Sequence, residues 1–391
     1  MLLRRHLFAG LLAGSCIALP LTAAFAETSP QASPLAAAAG AAQDFEARAF
    51  ALEDQGRPRE AEPLLRQALE VRRKSFGEKD RRTAAGYASL ALNLDTQSRD
   101  AEAEPYFRKS LAIQKAALGD RHPDVGMTLN NLASCLDDQG RHAEAEPLLR
   151  KALAIARANA GEAGLATAAV YGNLALNLDA AGRRAEAEPM FRRALDIHRK
   201  ILGERHPAVA TATANLASNI VGQGRYADAE PLYRLALDID RTTFGDAHYR
   251  VATDLDHLAA DLDEQGRPME AESLYRRALE IRRSVFGETN RSTAASYGAV
   301  AGNLHAQGRY AEAEPLYRKA LEIDRAATGD NPADAAMDYQ DLATNLDAQG
   351  RHRDAEPLLR KALEMRRAAL GHPDLSAVTN AFDVWQYPRQ F

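Results

Sequence analysis

The chain of 391 residues is poor in the residue types that carry most enzyme and cofactor chemistry. It has two cysteines and one tryptophan, and aromatic residues make up 6% of it. Two cysteines exclude a disulfide-rich scaffold. The ten histidines show no metal-binding or catalytic spacing, and His-Glu-x-x-His, Cys-x-x-Cys and Gly-x-Ser-x-Gly motifs are all missing. The sequence therefore predicts no cofactor, no metal site and no enzymatic activity.

Positive charge, long apolar runs and strand patterns are scarce as well. Lys and Arg total 49 against 54 Asp and Glu, a formal net charge of −5, which argues against a nucleic-acid partner because such a partner requires a basic surface. Beyond the N-terminal region no stretch approaches the roughly 18 apolar residues of a membrane-spanning helix. Alternating runs of β-branched residues are also lacking, so no strand is predicted.

What the chain does have is a strict period. Eight glycines stand 42 residues apart: Gly77, Gly119, Gly161, Gly203, Gly245, Gly287, Gly329 and Gly371. A second series keeps this period, with Ser98 in the place of one glycine: Gly56, Gly140, Gly182, Gly224, Gly266, Gly308 and Gly350. A fixed period of this size indicates an array in which one supersecondary unit stacks on the next.

Two helical patterns fill each period. Around Gly140, the stretches 123–138 and 143–159 both carry apolar residues at three- and four-residue spacings, which is typical of amphipathic helices. Alanine recurs at one position of each helix, for example at Ala133 and Ala145, where it would allow the helix axes to approach closely. The fold is predicted to be all-α, built from helix-turn-helix units.

These residues carry a family resemblance. The segments Asn131-Leu132-Ala133, Gln139-Gly140-Arg141 and 144–153 resemble the tetratricopeptide repeat, in the 42-residue variety found in kinesin light chains and many bacterial proteins. The resemblance covers about residues 44–387. It implies a right-handed α-solenoid superhelix whose first helices line a concave groove, and it implies an interaction surface as the function.

The N-terminus reads as an export signal. Residues 1–26 have a basic start, an apolar stretch and a small-x-small pattern that predicts cleavage between Ala26 and Glu27. We therefore expect a periplasmic or secreted protein of a bacterial cell. Lipid anchoring at Cys16 is disfavoured because the residues before it do not form a lipoprotein box.

The rest of the chain divides into a lead-in, an array and a cap. Residues 27–43 are predicted to be a flexible linker, and residues 44–387 an array of about eight units whose first unit serves as a cap. A last helix, 375–387, is predicted to close the other end because repeat arrays need capping elements. Residues 388–391 form a short tail.

The candidate binding residues lie on the first helix of each unit. Past its opening turn, no first helix of units two to eight carries Lys or Arg, and acids and asparagines stand there instead. The predicted peptide-binding groove comprises Asn130, Asn131, Asn173, Asn215, Asp95, Asp137, Asp138, Asp179, Asp256 and Asp263. The asparagines would hold an extended backbone. The acids would make the groove negative, or alternatively would pair with Arg from adjacent helices.

The function predicted from these features is a non-enzymatic scaffold or adaptor that holds a neutral to basic segment of another protein. Two alternatives stay open: a component of an envelope hydrolytic or secretion complex, and a protein that binds a small ligand or glycan in the groove. Eight Glu-x-x-x-Arg pairs, one per unit, are predicted to be structural because their order stabilises a helix.

Overall fold

The structure of the chain is a computed structural model that describes residues 34–328 and 332–370. The predicted signal segment with Cys16, Ala26 and Glu27 lies outside the described residues. So do the predicted last helix, 375–387, and the tail.

The described residues contain no strand and form sixteen α-helices, as expected. They are α1 Pro34–Asp54, α2 Pro58–Phe76, α3 Arg81–Thr96, α4 Asp100–Leu118, α5 Pro123–Asp138, α6 His142–Ala160, α7 Leu165–Ala180, α8 Arg184–Leu202, α9 Pro207–Gly222, α10 Tyr226–Phe244, α11 Tyr249–Glu264, α12 Pro268–Phe286, α13 Arg291–Ala306, α14 Tyr310–Thr328, α15 Pro332–Ala348 and α16 His352–Leu370.

The helices form eight consecutive pairs, each an odd-numbered first helix and an even-numbered second helix. Most first helices have 16 residues and most second helices 19. Residues 34–43, expected in the flexible linker, belong to α1, so helical structure starts earlier than predicted. The alanine-rich composition of this stretch explains the difference, because alanine has the highest helix propensity.

The contacts divide the described chain within α10 into two compact parts. We call residues 34–239 the N-terminal segment and residues 240–370 the C-terminal segment. Within each segment a helix packs against the next one along the chain, and neighbouring first helices also contact each other, as α3 does α5, α5 does α7, and α13 does α15. The first helices of a segment therefore form a continuous wall.

The two glycine series form the turns that hold the period. Every described glycine of both series has a φ angle between 71° and 87°. At Gly140 the N–H donates to the Asp137 carbonyl, and the N–H of Arg141 donates to the Leu136 carbonyl, at 2.8 and 2.9 Å, which is the Schellman geometry that ends a helix. Ser98 takes the same conformation, with φ 57°, at a cost that glycine avoids.

The connector histidines have a structural role. His122 and His206 precede α5 and α9, and each accepts a hydrogen bond through Nδ1 from the backbone N–H two residues later. They act as helix N-caps, which satisfy a donor that the first turn leaves unpaired.

The recurring alanines lie in the core as predicted. Ala133 and Ala145, and the residues at the same positions of the other described pairs, are 0 or 1% exposed. Larger residues such as Leu132, Leu136 and Leu149 fill the space beside them and are also almost fully buried. Among the described residues, no helix combines the length and the apolarity that crossing a bilayer requires.

Candidate functional site

The first helices expose one narrow stripe. On α5 this stripe consists of Met127, Asn131, Ser134 and Asp138, spaced four, three and four residues apart, while the intervening residues from Val125 to Leu136 are buried. The same positions on the neighbouring first helices of the N-terminal segment are Ala85, Ser89, Leu92 and Thr96 on α3; Ala169, Asn173, Leu176 and Ala180 on α7; Thr211, Asn215, Ser218 and Gly222 on α9. Ser89, Ala169 and Asn173 are 5 to 9% exposed, and the other nine are more open. We call this set the first-helix face.

A row of side-chain amides crosses the first-helix face. Asn131, Asn173 and Asn215 occupy the same position on α5, α7 and α9. Asn173 Nδ2 donates to Oδ1 of Asn130 at 2.9 Å, and Asn130 Nδ2 donates to Oδ1 of Asn131 at 3.3 Å. The structure thus brings all four predicted asparagines onto three adjacent helices, where their amides can donate and accept hydrogen bonds.

The predicted acids mostly hold the wall of first helices together. Asp137 Oδ1 accepts a hydrogen bond from Asn177 Nδ2 of the next pair at 2.7 Å and lies 3.0 Å from Nδ1 of His142. Burial raises the pKa of Asp137 despite these partners.

The same carboxylate-amide contact recurs along the array. Asp179 accepts from Asn219, and Asp263 accepts from Asn303 at 2.8 Å. Each asparagine also donates to a backbone carbonyl at the start of the preceding second helix, for example Asn177 to His142 at 2.9 Å. The partners of these acids are therefore chiefly asparagines of the next pair, although Asp179 also lies 3.9 Å from the Arg184 guanidinium.

Asp95 lacks the amide partner because Cys135 stands where the other pairs mostly have asparagine. The Cys135 thiol donates to the Asp100 carbonyl at 3.3 Å, and one carboxylate oxygen of Asp95 is buried with no hydrogen-bond partner in the described part of the chain. Burial, with the charges of Asp100 and Asp138, raises the pKa of Asp95 to about 7. Partial desolvation beside the neighbouring helices, with the charges of Asp100 and Asp137, raises the pKa of Asp138 to about 6 although part of its surface is open to solvent.

This cluster is also where a metal ion would find donors. The ligating atoms of Asp95, Asp100 and Cys135 lie within 4.8 Å of one another, the only such group of three among the residues that the structure describes. Burial and the neighbouring carboxylates raise the pKa of the Cys135 thiol to about 12. Because a thiol binds metals as the thiolate, this donor is a poor one at neutral pH.

Asp256 departs from its predicted place in the groove. It is 7% exposed and forms an ion pair with Arg282 on α12, and Arg282 also donates to the Ser296 hydroxyl. On α11 the stripe positions are instead Thr253, His257, Ala260 and Glu264. Asp256 is one residue off that stripe and points between helices, so it does not belong to the binding surface.

Asp138 is the acid that the structure leaves on the first-helix face. It is the exposed last residue of the α5 stripe, and its equivalents on α3, α7 and α9 are uncharged. Across α3, α5, α7 and α9 the face thus carries one carboxylate and no cation. Its electrostatic character is mildly negative, which differs from the continuous acidic groove that the sequence suggested.

The eight Glu-x-x-x-Arg pairs form as predicted, and they do more than was predicted. Glu104 accepts from Arg108 at 2.7 Å within α4, and it also accepts from Arg141 of the next turn at 2.6 Å. Arg141 in turn makes a two-pronged contact with Glu144. The contact between pairs was missed, although an arginine directly after each turn residue of the second series was a visible signal.

The comparisons with known proteins agree with this geometry. A family model described as tetratricopeptide repeat matches residues 42–116, 96–158, 165–242, 209–284, 251–326 and 292–368. No curated protein matches the chain.

Parts of the chain are similar to solved structures of other proteins. BtubC (BKLC) from P. vanneervenii has a TM-score of 0.51 at 24% identity, covering 60% of this chain and 94% of that one. A putative kinesin light chain from Podosopora anserina, with nearly identical TPR-like repeats, has a TM-score of 0.47 at 23% identity and covers 53% and 98%. The quorum sensor NprR from B. thuringiensis, in its apo form, has a TM-score of 0.50 at 14% identity and covers 84% and 98%. With the repeat model matching most of its length, the chain belongs to the tetratricopeptide repeat family.

Proposed function

We propose that the protein holds an extended segment of another protein on its first-helix face, as a non-enzymatic scaffold or adaptor. The observation that carries this proposal is the row formed by Asn131, Asn173 and Asn215. Extended peptides are recognised mainly through main-chain N–H and C=O groups, and side-chain amides offer both complements to these groups. Tetratricopeptide repeat proteins in general bind other proteins or peptides, which makes this the expected class of ligand.

The preferred partner segment is neutral to basic. On α3, α5, α7 and α9 the first-helix face has Asp138 as its one charged side chain, and no Lys or Arg stands on a described first helix from α3 onward past the opening turn. An acidic segment would bring carboxylates to a surface without cations, and like charges oppose binding.

The test uses a peptide selected from a displayed library of random sequences for binding to the purified protein. We expect the affinity for this peptide to fall about three- to tenfold, the effect of one hydrogen bond, in each of three variants: Asn131→Ala, Asn173→Ala and Asn215→Ala. Gln67→Ala is the matched control, because Gln67 carries an exposed side-chain amide on a second helix, α2. Equal loss in the control and the row variants would contradict the proposal.

A second arm tests main-chain recognition itself. Single N-methyl groups along the selected peptide remove one backbone donor at a time, and at least one position should lose binding as strongly as an asparagine variant does. Asp138→Lys should raise the affinity for an acidic peptide and lower the affinity for a basic one. Unchanged affinity for both would show that Asp138 takes no part in selecting the partner.

We further propose that the chain is exported through residues 1–26, so that the partner is an envelope or extracellular protein. Support comes from the sequence pattern that ends at Ala26. Mass spectrometry of the protein from its native cell should find Glu27 as the first residue, in the periplasmic or culture fraction. An intact N-terminus in the cytoplasmic fraction would contradict export.

A further inference from the structure

Among the four predicted asparagines, Asn130 is the one at a position off the stripe that defines the first-helix face. It is 6% exposed and forms hydrogen bonds with Asn131 and Asn173. The same position holds a different residue in every other pair: Glu46, Ala88, Gly172, Ala214, Asp256, Gly298 and Gln340. Among the described helix pairs, only α5 therefore has an asparagine at this position, directly before Asn131. The hydrogen bonds of Asn130 indicate its role.

Asn130 connects two amides of the row. Its Oδ1 accepts from Asn173 Nδ2 at 2.9 Å, and its own Nδ2 donates to Asn131 Oδ1 at 3.3 Å. An asparagine side-chain amide is planar, with the carbonyl oxygen at one end and the NH₂ group at the other. Fixing one side of the amide against Asn130 therefore decides which side is presented to a ligand.

The two neighbours are fixed in opposite senses. Asn131 turns its oxygen to Asn130, which leaves its NH₂ group as a donor on the face. Asn173, which is 8% exposed, turns its NH₂ group to Asn130, which leaves its oxygen as the atom that can accept from a ligand. A donor on α5 thus stands beside an acceptor on α7, and an extended backbone carries the matching C=O and N–H groups.

We infer that Asn130 is a positioning residue, which orients the amides of Asn131 and Asn173 so that a bound peptide backbone meets one donor and one acceptor. This inference rests on the proposed function. It adds that recognition at α5 and α7 depends on a buried side chain that the peptide never touches, whereas Asn215 on α9 acts without such a support.

The orientation can be tested without any partner. In a ¹⁵N–¹H spectrum the side-chain NH₂ protons of Asn131 should exchange rapidly with water, and one NH₂ proton of Asn173 should be protected. In Asn130→Ala that protection should be lost. Protected Asn131 protons in the parent protein would overturn the assignment of the donor.

The dependence can be tested with the same library-selected peptide. Asn130→Ala should weaken it about three- to tenfold, as if a groove hydrogen bond were lost. In a variant that already carries Asn131→Ala and Asn173→Ala, adding Asn130→Ala should cause no further loss of binding, because Asn130 acts through these two amides. The losses from Asn130→Ala and Asn215→Ala should instead multiply in their double variant, which is the matched control.

Asn130→Asp separates positioning from simple stability. An aspartate still accepts from Asn173 but cannot donate to Asn131, so the Asn131 amide is released while the α7 acceptor stays in place. We expect a loss of binding close to that of Asn131→Ala, with a thermal midpoint nearer to the parent than that of Asn130→Ala. A further loss of binding when Asn130→Ala is added to the Asn131→Ala, Asn173→Ala variant would overturn the inference and leave the proposed function intact. If none of the row variants weakens binding, the proposed function itself fails.

Discussion

Two neighbouring interfaces between helix pairs of the N-terminal segment differ in the side chain that lies beside a buried aspartate. Between the third and fourth pairs, Asn177 donates to Asp137 and to the His142 carbonyl, so a buried carboxylate meets a buried amide. Between the second and third pairs, Cys135 takes the asparagine's place and Asp95 faces Asp100 instead.

The comparison shows that fold and proton affinity are set by different residues. Both interfaces keep the same helix bounds and turn geometry, because these follow from the turn residues and the buried alanines and leucines. Only the ionisation differs. Burial alone raises the pKa of Asp137, while burial joined by the charges of Asp100 and Asp138 raises the pKa of Asp95 to about 7.

The largest expected change in stability comes from placing a cysteine at the interface between the third and fourth pairs, where Asn177 now contacts Asp137. Asn177→Cys should leave the Asp137 carboxylate without its amide donor and lower the free energy of unfolding by about 2 kcal/mol, within the range for a buried polar group that loses its partner. Urea denaturation at pH 8 measures this. Gln67→Ala, at an exposed position on α2, is the control and should change the value little. Equal stability of the two variants would mean that the carboxylate-amide contact contributes nothing.

The pH dependence of the free energy of unfolding should distinguish the two interfaces almost as strongly. The folded pKa of Asp95, about 7, lies above the unfolded value of about 3.9. The stabilising contribution is therefore complete below about pH 4 and is lost as the pH rises through 7. Between pH 5 and pH 7 the linkage amounts to about 2 kcal/mol.

Asp95→Asn removes this titration and serves as the reference. The parent should lose stability relative to this variant as the pH rises from 5 to 7, in parallel urea titrations. A constant difference across that range would show that Asp95 does not hold a proton in the folded protein.

Placing an asparagine at the interface between the second and third pairs should have a smaller effect on stability. Cys135→Asn gives Asp95 a donor like that of Asn177, and we expect a gain of about 1 kcal/mol at pH 8, one hydrogen bond's worth. The pKa of Asp95, followed through its carboxyl ¹³C shift, should fall. An unchanged or higher pKa would contradict the comparison.

The smallest effect concerns the turn of the second pair. Ser98 holds a φ of 57°, where Gly140 of the third pair has 74°. Ser98→Gly relieves a strained conformation but frees the unfolded chain, so the net gain should be about 0.5 kcal/mol. Thermal melts at one pH measure it, and Gly140→Ser should shift the midpoint in the opposite direction. A loss of stability in Ser98→Gly would contradict the role assigned to this turn.

The sequence predicted the period, the helices and the alanine contacts because these depend on short-range patterns that recur in every unit. The placement of Asp256 could not be predicted, since one residue on a helix rotates a side chain by about 100°, enough to move it from the open stripe to the buried Arg282. The role of Cys135 could not be predicted either, because its contacts with Asp95 and Asp100 form only when two helix pairs pack together. The asparagine row was visible, but the hydrogen bonds through Asn130 depend on atomic positions.

The most direct measurement of where the protein binds its partner is hydrogen exchange with and without the library-selected peptide. Protection is predicted on α5, α7 and α9, around Asn131, Asn173 and Asn215, and it should vanish in the triple alanine variant of these residues. Protection confined to second helices such as α6 and α8, and retained in that variant, would contradict recognition on the first-helix face.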